Sequence, residues 1–346
     1  MSGPAAEMSG VTIGYGAEPV VVDLDLTVAA GEMVVLLGPS GSGKTTILGA
    51  IAGFLPIRAG ELRIAGQLVA AAGRHEPPER RDVGVVFQGS ALWPHLSAAD
   101  TVAYPLRRGG LAGDPARRQA LAILERLGIG HLADRRPAGM SGGEQQRVGL
   151  GRALARGAAL HLFDEPTAHL DGPLRDRLLE EIAGARRDAG AAGVYATHDT
   201  AEALAIADRV VLLRAGRIVQ AGSPLEVYEA PVDAWAARLT GPASEIDAVL
   251  VGTIGDVAEI DVAGVRIRAR LAGRRSTGEV RLLVRPDWAT LRGSLPGRVA
   301  AVRFRGSHTD VDLVTPAGAV TIRRPGPPSV AIGDEPGWAL TRARVL

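Results

Sequence analysis

Short apolar runs and amphipathic stretches alternate through the first two-thirds of the chain. Residues 11–28 alternate loosely between apolar and polar positions and predict two strands. Met33 to Leu37 (MVVLL) is continuously apolar, the pattern of a strand buried on both faces of a parallel sheet. A glycine-rich loop follows, then a helical stretch from Thr45 to Ala52, so strand, loop and helix open a βαβ unit. Val83 to Phe87, Leu160 to Phe163 and Val194 to Thr197 predict three more strands. Residues 97–160 read as mostly helical, as in ARRQALAILERLG from Ala116. Val210 to Leu213 and Arg217 to Gln220 flank Ala215-Gly216, a hairpin signal.

The texture changes near Gly241-Pro242. Helical periodicity fades, and short β-prone segments take over: Val257 to Ile260, Val265 to Arg270, Val280 to Val284, Val299 to Phe304, Val311 to Val314 and Ala319 to Arg323. Turn residues such as Pro296-Gly297 separate them, which suggests a small all-β barrel or sandwich. Two domains are therefore expected, residues 1–241 and 242–346, with a helical subdomain at about 90–155. A length of 346 residues agrees with two domains at roughly 150 residues each.

Composition narrows the classes. An apolar share of 46% with 22% charged residues is that of a globular chain and argues against disorder. The absence of cysteine excludes a disulfide scaffold and thiolate chemistry. A net charge of +1 gives no global pull toward nucleic acid or an anionic membrane. No run approaches the length of a spanning helix, and MSGPAAEMSG lacks the pattern of a signal peptide. A soluble cytoplasmic protein is the expectation. Of the 39 basic residues, Lys44 alone is lysine.

That lysine lies in G-P-S-G-S-G-K-T, Gly38 to Thr45, a full match to G-x-x-x-x-G-K-[ST]. Glycines let backbone N–H groups curl around phosphates, and the helix that follows adds positive potential. Lys44 is expected to reach the β- and γ-phosphates and the Thr45 hydroxyl to bind Mg²⁺. A chance glycine-rich turn is the alternative, and the position between a buried strand and a helix argues against it. Leu160 to Glu165 is an apolar strand ending in two carboxylates. Asp164 at its tip suits Mg²⁺, and Glu165 is placed to orient or deprotonate water. Acidic residues there often only cap a helix, but beside a phosphate loop the pair gains meaning. Ser141-Gly142-Gly143, opening a helical segment, forms a second anion-binding helix start or, more plainly, a cap with a hinge.

With these motifs in order, the chain resembles the ATP-binding subunit of ABC transporters over essentially its whole length. The resemblance implies an α/β fold: a P-loop NTPase cassette with a helical subdomain, followed by a small OB-like regulatory barrel. Gly38, Pro39, Ser40, Gly41, Ser42, Gly43, Lys44, Thr45 and Thr46 match the Walker A segment, and Asp164 and Glu165 match Walker B and its catalytic glutamate. Ser141, Gly142 and Gly143 match the signature, Gln88 the Q-loop, Ala168 to Asp171 the D-loop and His198 the switch histidine. Tyr15 stands where the family places an aromatic that stacks on adenine.

The implied ligands are ATP and Mg²⁺, with Thr45, Asp164 and Gln88 toward the metal and Glu165, His198 and Gln88 toward hydrolysis. Asp171 joins the nucleotide contacts. The signature of one subunit would cover ATP bound by the other, so a homodimer is implied. So are integral membrane permease subunits, an extracytoplasmic solute-binding protein acting indirectly, and a peripheral place at the cytoplasmic membrane face. No nucleic-acid partner is expected.

Three departures from the family pattern leave the catalytic groups intact: Met140 for the usual Leu, Glu144 for the common Gln, and Ala168-His169 in the D-loop. Trp93 is either a permease contact or a buried side chain. His75, His95, His131, His161 and His308 are too scattered for a metal spacing and read as structural. The second domain resembles the regulatory domain of importer ATPases through its strand pattern and Arg285-Pro286-Asp287. The alternating Arg266, Arg268 and Arg270 read as a solvated strand face rather than a nucleic-acid groove. An importer subunit is the leading reading, with iron(III) or polyamine ranked first and molybdate, phosphonate or sugar behind. A non-transport ABC protein, or a sensor with a nucleic-acid-binding barrel, is the alternative of another class.

Overall fold

The computed structural model describes residues 3–346 apart from 88, 90, 112, 169, 171, 256 and 273–276. It divides into two units, residues 1–224 and 225–346.

In the first unit, β1 (Ala6–Tyr15), β2 (Glu18–Val28) and β3 (Met33–Leu37) lead into α1 (Lys44–Ala52). Then come β4 (Ile57–Ile64), β5 (Gln67–Ala71), β6 (Arg74–His75) and β7 (Val83–Val86). Helices α2 (Ala98–Arg108), α3 (Asp114–Arg126) and α4 (Gly142–Ala155) follow. The unit closes with β8 (Leu160–Asp164), α5 (Gly172–Ala189), β9 (Ala192–Thr197), α6 (Thr200–Ile206), β10 (Arg209–Arg214) and β11 (Arg217–Gly222).

Its strands form two sheets, ordered β2-β1-β4-β5-β6 and β11-β10-β3-β9-β8-β7. The second is parallel from β10 to β7, and all five residues of β3 are buried, as the continuous apolar run requires. Helix α1 lies in the core between the sheets: its Ile47 and Ile51 belong to one buried apolar cluster that also holds Val34 and Leu36 of β3 and Val11 and Ile13 of β1. The strands at 57–75 carry no clear apolar alternation, so they escape a local reading and take their sheet from pairing with β1. The expected strand ending at Phe87 ends at Val86.

This order positions the chemistry. Strands β3, β9 and β8 are neighbours and parallel, so their C-terminal ends emerge side by side. Those ends carry Gly38, His198 and Asp164, and the crevice outside such ends is where open α/β sheets bind ligands.

The second unit opens with α7 (Pro224–Glu229) and α8 (Ala234–Leu239). The strands are β12 (Ser244–Ile254), β13 (Val257–Val262), β14 (Val265–Ala272), β15 (Gly278–Val284), β16 (Ala289–Leu295), β17 (Arg298–Phe304), β18 (His308–Thr315), β19 (Gly318–Pro325), β20 (Trp338–Leu340) and β21 (Arg342–Val345). Strands β12-β13-β14-β21-β15 close into a barrel, while β16-β20 and β17-β18-β19 form smaller sheets over one continuous core. Trp288 and Trp338 are buried in that core, so neither offers an exposed stacking face.

The division at Pro224/Leu225 falls before the boundary expected at 241. Side-chain ties hold α7 and α8 to the barrel strands. The fully buried Arg285 donates to the carbonyls of Tyr228 (2.7 Å), Ala237 (2.7 Å) and Gly241 (3.0 Å) and to the Thr240 hydroxyl (2.9 Å). Arg342 of β21 pairs in a fork with Glu229 at 2.7 and 2.9 Å.

Candidate functional site

The loop after β3 is shaped by glycines. Gly41 and Gly43 have φ of 78° and 104°, the left-handed region that favours glycine. A Cβ on Gly38 would lie 2.5 Å from the Leu213 carbonyl oxygen. Gly43 caps α1 with no side-chain acceptor, which leaves the first N–H groups of the helix without an internal cap. Lys44 is buried and folds back, its Nζ donating to the carbonyls of Gly38 (2.8 Å) and Pro39 (3.0 Å). Burial pushes its ammonium below the usual lysine range, and Glu165 and Asp164 oppose that shift. Ser42 and Thr46 are buried beside it, whereas Pro39, Ser40, Gly41 and Thr45 are exposed.

Asp164 ends β8, and its Oδ1 accepts from the Thr45 hydroxyl at 3.1 Å. Burial pushes this carboxyl above the usual range, so it gains from a nearby cation. Glu165 adopts φ of 45°, rare for a residue with a Cβ, and its N–H donates to the Ala196 carbonyl at 3.0 Å. Its Oε1 lies 3.1 Å from Nδ1 of His198, the first residue after β9. Lys44, Thr45, Asp164, Glu165 and His198 thus converge on one place.

Tyr15 ends β1 and is exposed, next to a turn whose carbonyls at Gly16, Ala17 and Glu18 are held by Arg58. Ser141, Gly142 and Gly143 open α4, where Ser141 and Glu144 form a reciprocal capping box. The Ser141 N–H donates to Glu144 Oε2 at 2.7 Å. Gln88, His169 and Asp171 lie outside the described residues. Trp93 is half-buried, against Tyr104 at 4.9 Å with the Arg152 guanidinium over its ring. The two rings and Arg152 line a groove of about 560 Å³. His161 is fully buried on β8, and burial pushes its imidazole toward the neutral form. A group that the motifs did not flag lies behind the site: Glu202, Thr167, Tyr195, Thr197 and Arg175.

A family model for the ABC transporter matches residues 21–168, which include the glycine loop and the Asp164-Glu165 pair. An "Fe(3+) ions import ATP-binding protein FbpC" of Agrobacterium fabrum is 39% identical over 89% of this chain and 87% of its own length. The chain belongs to the ATP-binding subunits of ABC transporters. A second FbpC, of Rhizobium etli, is 39% identical over 93% of both chains. The "sn-glycerol-3-phosphate import ATP-binding protein UgpC" of Vibrio vulnificus is also 39% identical, over 92% of this chain and 86% of its own. Among solved structures, an ATP-binding cassette in a dimeric post-hydrolysis state with ADP and Pi matches at a TM-score of 0.58 and 30% identity. The match covers 63% of this chain and 98% of that one. In this ABC subunit no helix among the described residues is long and apolar enough to cross a membrane.

Proposed function

We propose that this chain is the ATP-hydrolysing subunit of an importer for iron(III). The observation that carries the hydrolytic part is the convergence of Lys44, Thr45, Asp164, Glu165 and His198 at the ends of three adjacent parallel strands. The iron(III) part is supported by the names of relatives that align over nearly the whole chain. Glycerol 3-phosphate is the second reading, supported by a relative of equal identity.

The glycine loop and the uncapped start of α1 offer N–H groups to the phosphates, and Lys44 carries its charge to the β- and γ-oxygens. Thr45 and Asp164 suit Mg²⁺. Both are hard oxygen ligands already within 3.1 Å, and the partly desolvated carboxylate gains from a cation. Among the described residues no group of three His, Cys, Asp or Glu side chains forms a cage. That fits Mg²⁺, which takes one or two protein oxygens and completes its shell with phosphate and water. When bound, Mg²⁺ neutralises charge on the phosphate oxygens. Glu165 accepts a proton from the attacking water while His198 holds the γ-phosphate side, the new P–O bond forms, and ADP leaves as the β–γ bridge breaks. Gln88 and Tyr15 take the roles named above, as metal contact and adenine platform.

The Ser141 signature, with Asp171, acts on ATP held by a second copy, so the working form is a homodimer. The groove with Trp93 and Tyr104 suits a helix of the permease, which would hold the subunit at the cytoplasmic membrane face. A solute-binding protein outside the membrane selects the cargo.

The test is uptake in cells whose only copy carries Glu165→Gln. Iron(III), spermidine, putrescine, molybdate, phosphonate, a maltodextrin and glycerol 3-phosphate would each be measured against wild type. Loss of iron(III) uptake alone is the expected result. Loss of another solute alone would replace the cargo, and no loss would remove the import reading. Lys44→Ala is expected to weaken ATP binding about tenfold or more, because a charge-assisted phosphate contact is removed.

A further inference from the structure

Behind the hydrolytic pair lies a buried polar knot that the roles above leave unused. Its centre is Glu202, in the first turn of α6 and only 4% exposed. One carboxylate oxygen accepts from the Thr167 hydroxyl. The other accepts from the Tyr195 hydroxyl at 3.0 Å and the Thr197 hydroxyl at 2.9 Å. Arg175 of α5 brings its Nε to 3.6 Å from Glu202, pairs with Asp199 at 3.2 Å and donates to the Leu170 carbonyl at 3.4 Å.

Each partner is tied to the site by the chain itself. Thr167 stands two residues after Glu165. Thr197 and Asp199 flank His198, and Thr197 also accepts from the Asp199 N–H at 2.9 Å. Leu170 lies in the loop between β8 and α5. We propose that Glu202 is a positioning residue for ATP hydrolysis: its buried carboxylate locks the loop that carries Glu165 against the loop that carries His198.

This rests on the reading of Glu165 and His198 as the hydrolytic pair. Their 3.1 Å contact joins two loops from different strands, and Glu165 is held there in an uncommon backbone conformation. A carboxylate inside a protein is costly unless every oxygen is met, and here three hydroxyls and a guanidinium converge on one. Hydroxyl donors fix direction as well as distance. A displacement of about 1 Å at a reacting group can cost about a hundredfold in rate.

The experiment is steady-state ATP hydrolysis by the full chain carrying Glu202→Ala, Glu202→Gln or Thr167→Val, with melting followed on each. Glu202→Ala is expected to lower kcat about tenfold or more while KM for ATP stays within about threefold. Glu202→Gln keeps one acceptor and loses the charge facing Arg175, so it should fall between Ala and wild type. Combined with Glu165→Gln, the Glu202→Ala change should lower the residual rate by less than about twofold, because the group it positions is already gone. A folded variant with wild-type kcat, or a loss that adds in full to that of Glu165→Gln, would overturn the proposal. If Glu202→Ala does not fold, Thr167→Val removes one tie at constant shape, and a severalfold fall in kcat at constant KM is then the deciding result. Failure of the underlying reading looks different: Glu165→Gln itself would turn over like wild type.

Discussion

Helices α4 and α6 both start on a capping residue followed three positions later by glutamate, and the two glutamates end in opposite environments. In Ser141-Gly-Gly-Glu144 the side chain turns back to the Ser141 N–H at 2.7 Å, at an accessible helix start. In Asp199-Thr-Ala-Glu202 the Asp199 side chain caps the N–H groups of Ala201 and Glu202, but the Asp199 N–H goes to Thr197. Glu202 is thereby released from the cap and turns into the core. The difference lies in what surrounds each helix start. Thr167, Tyr195 and Thr197 present three hydroxyls to Glu202 from β9 and the loop after β8. The same four-residue pattern thus serves a local cap in one place and a long-range clamp in the other.

The comparison breaks most easily at Glu202. Replacing it by alanine leaves three buried hydroxyls without their acceptor and should lower stability by about 2–4 kcal/mol. Glu144→Ala should cost less than about 1 kcal/mol, since only one side of an accessible cap is lost. Denaturant melts of the two variants side by side check this, and equal losses would erase the distinction. Ser141→Ala is expected to cost about 1 kcal/mol through loss of the hydroxyl cap. Asp199→Ala should exceed it, because Asp199 also holds Arg175.

The smallest effect sharpens the comparison through pH. The Ser141 N–H holds the Glu144 carboxyl below the ordinary value of 4.5. A depressed carboxyl contributes stability that is present above its unfolded pKa and is lost as pH falls through the folded value. Melting of wild type should therefore weaken between about pH 4.5 and lower values through this group. Glu144→Gln should remove that slope and change stability at neutral pH by a few tenths of a kcal/mol. An unchanged acid slope in Glu144→Gln would take the box out of the free protomer.

These contrasts also mark what a local reading of the sequence reaches. Met33 to Leu37, the glycine loop and Leu160 to Glu165 are legible because each combines a continuous apolar run with chemistry at its end. Lys44 is legible as the lone lysine. The strands at 57–75 are not, because their sheet comes from pairing with β1 rather than from their own alternation. The boundary at Pro224 is hidden for a related reason. Helices α7 and α8 share the helical texture of the first unit, and residues distant in sequence, Arg285 and Arg342 among them, fix them to the barrel strands. Glu202 belongs to the same class: its spacing from Asp199 announces a cap, and its partners come from residues 5 to 35 positions away.

The most direct test of the hydrolytic site is ATP turnover by the purified full chain, wild type against Glu165→Gln, with ATP binding measured on the same samples. The expected result is binding within about threefold of wild type and turnover at least about a hundredfold slower, as for loss of a general base. Wild-type turnover in Glu165→Gln would contradict the assignment of Glu165 and with it the pairing to His198.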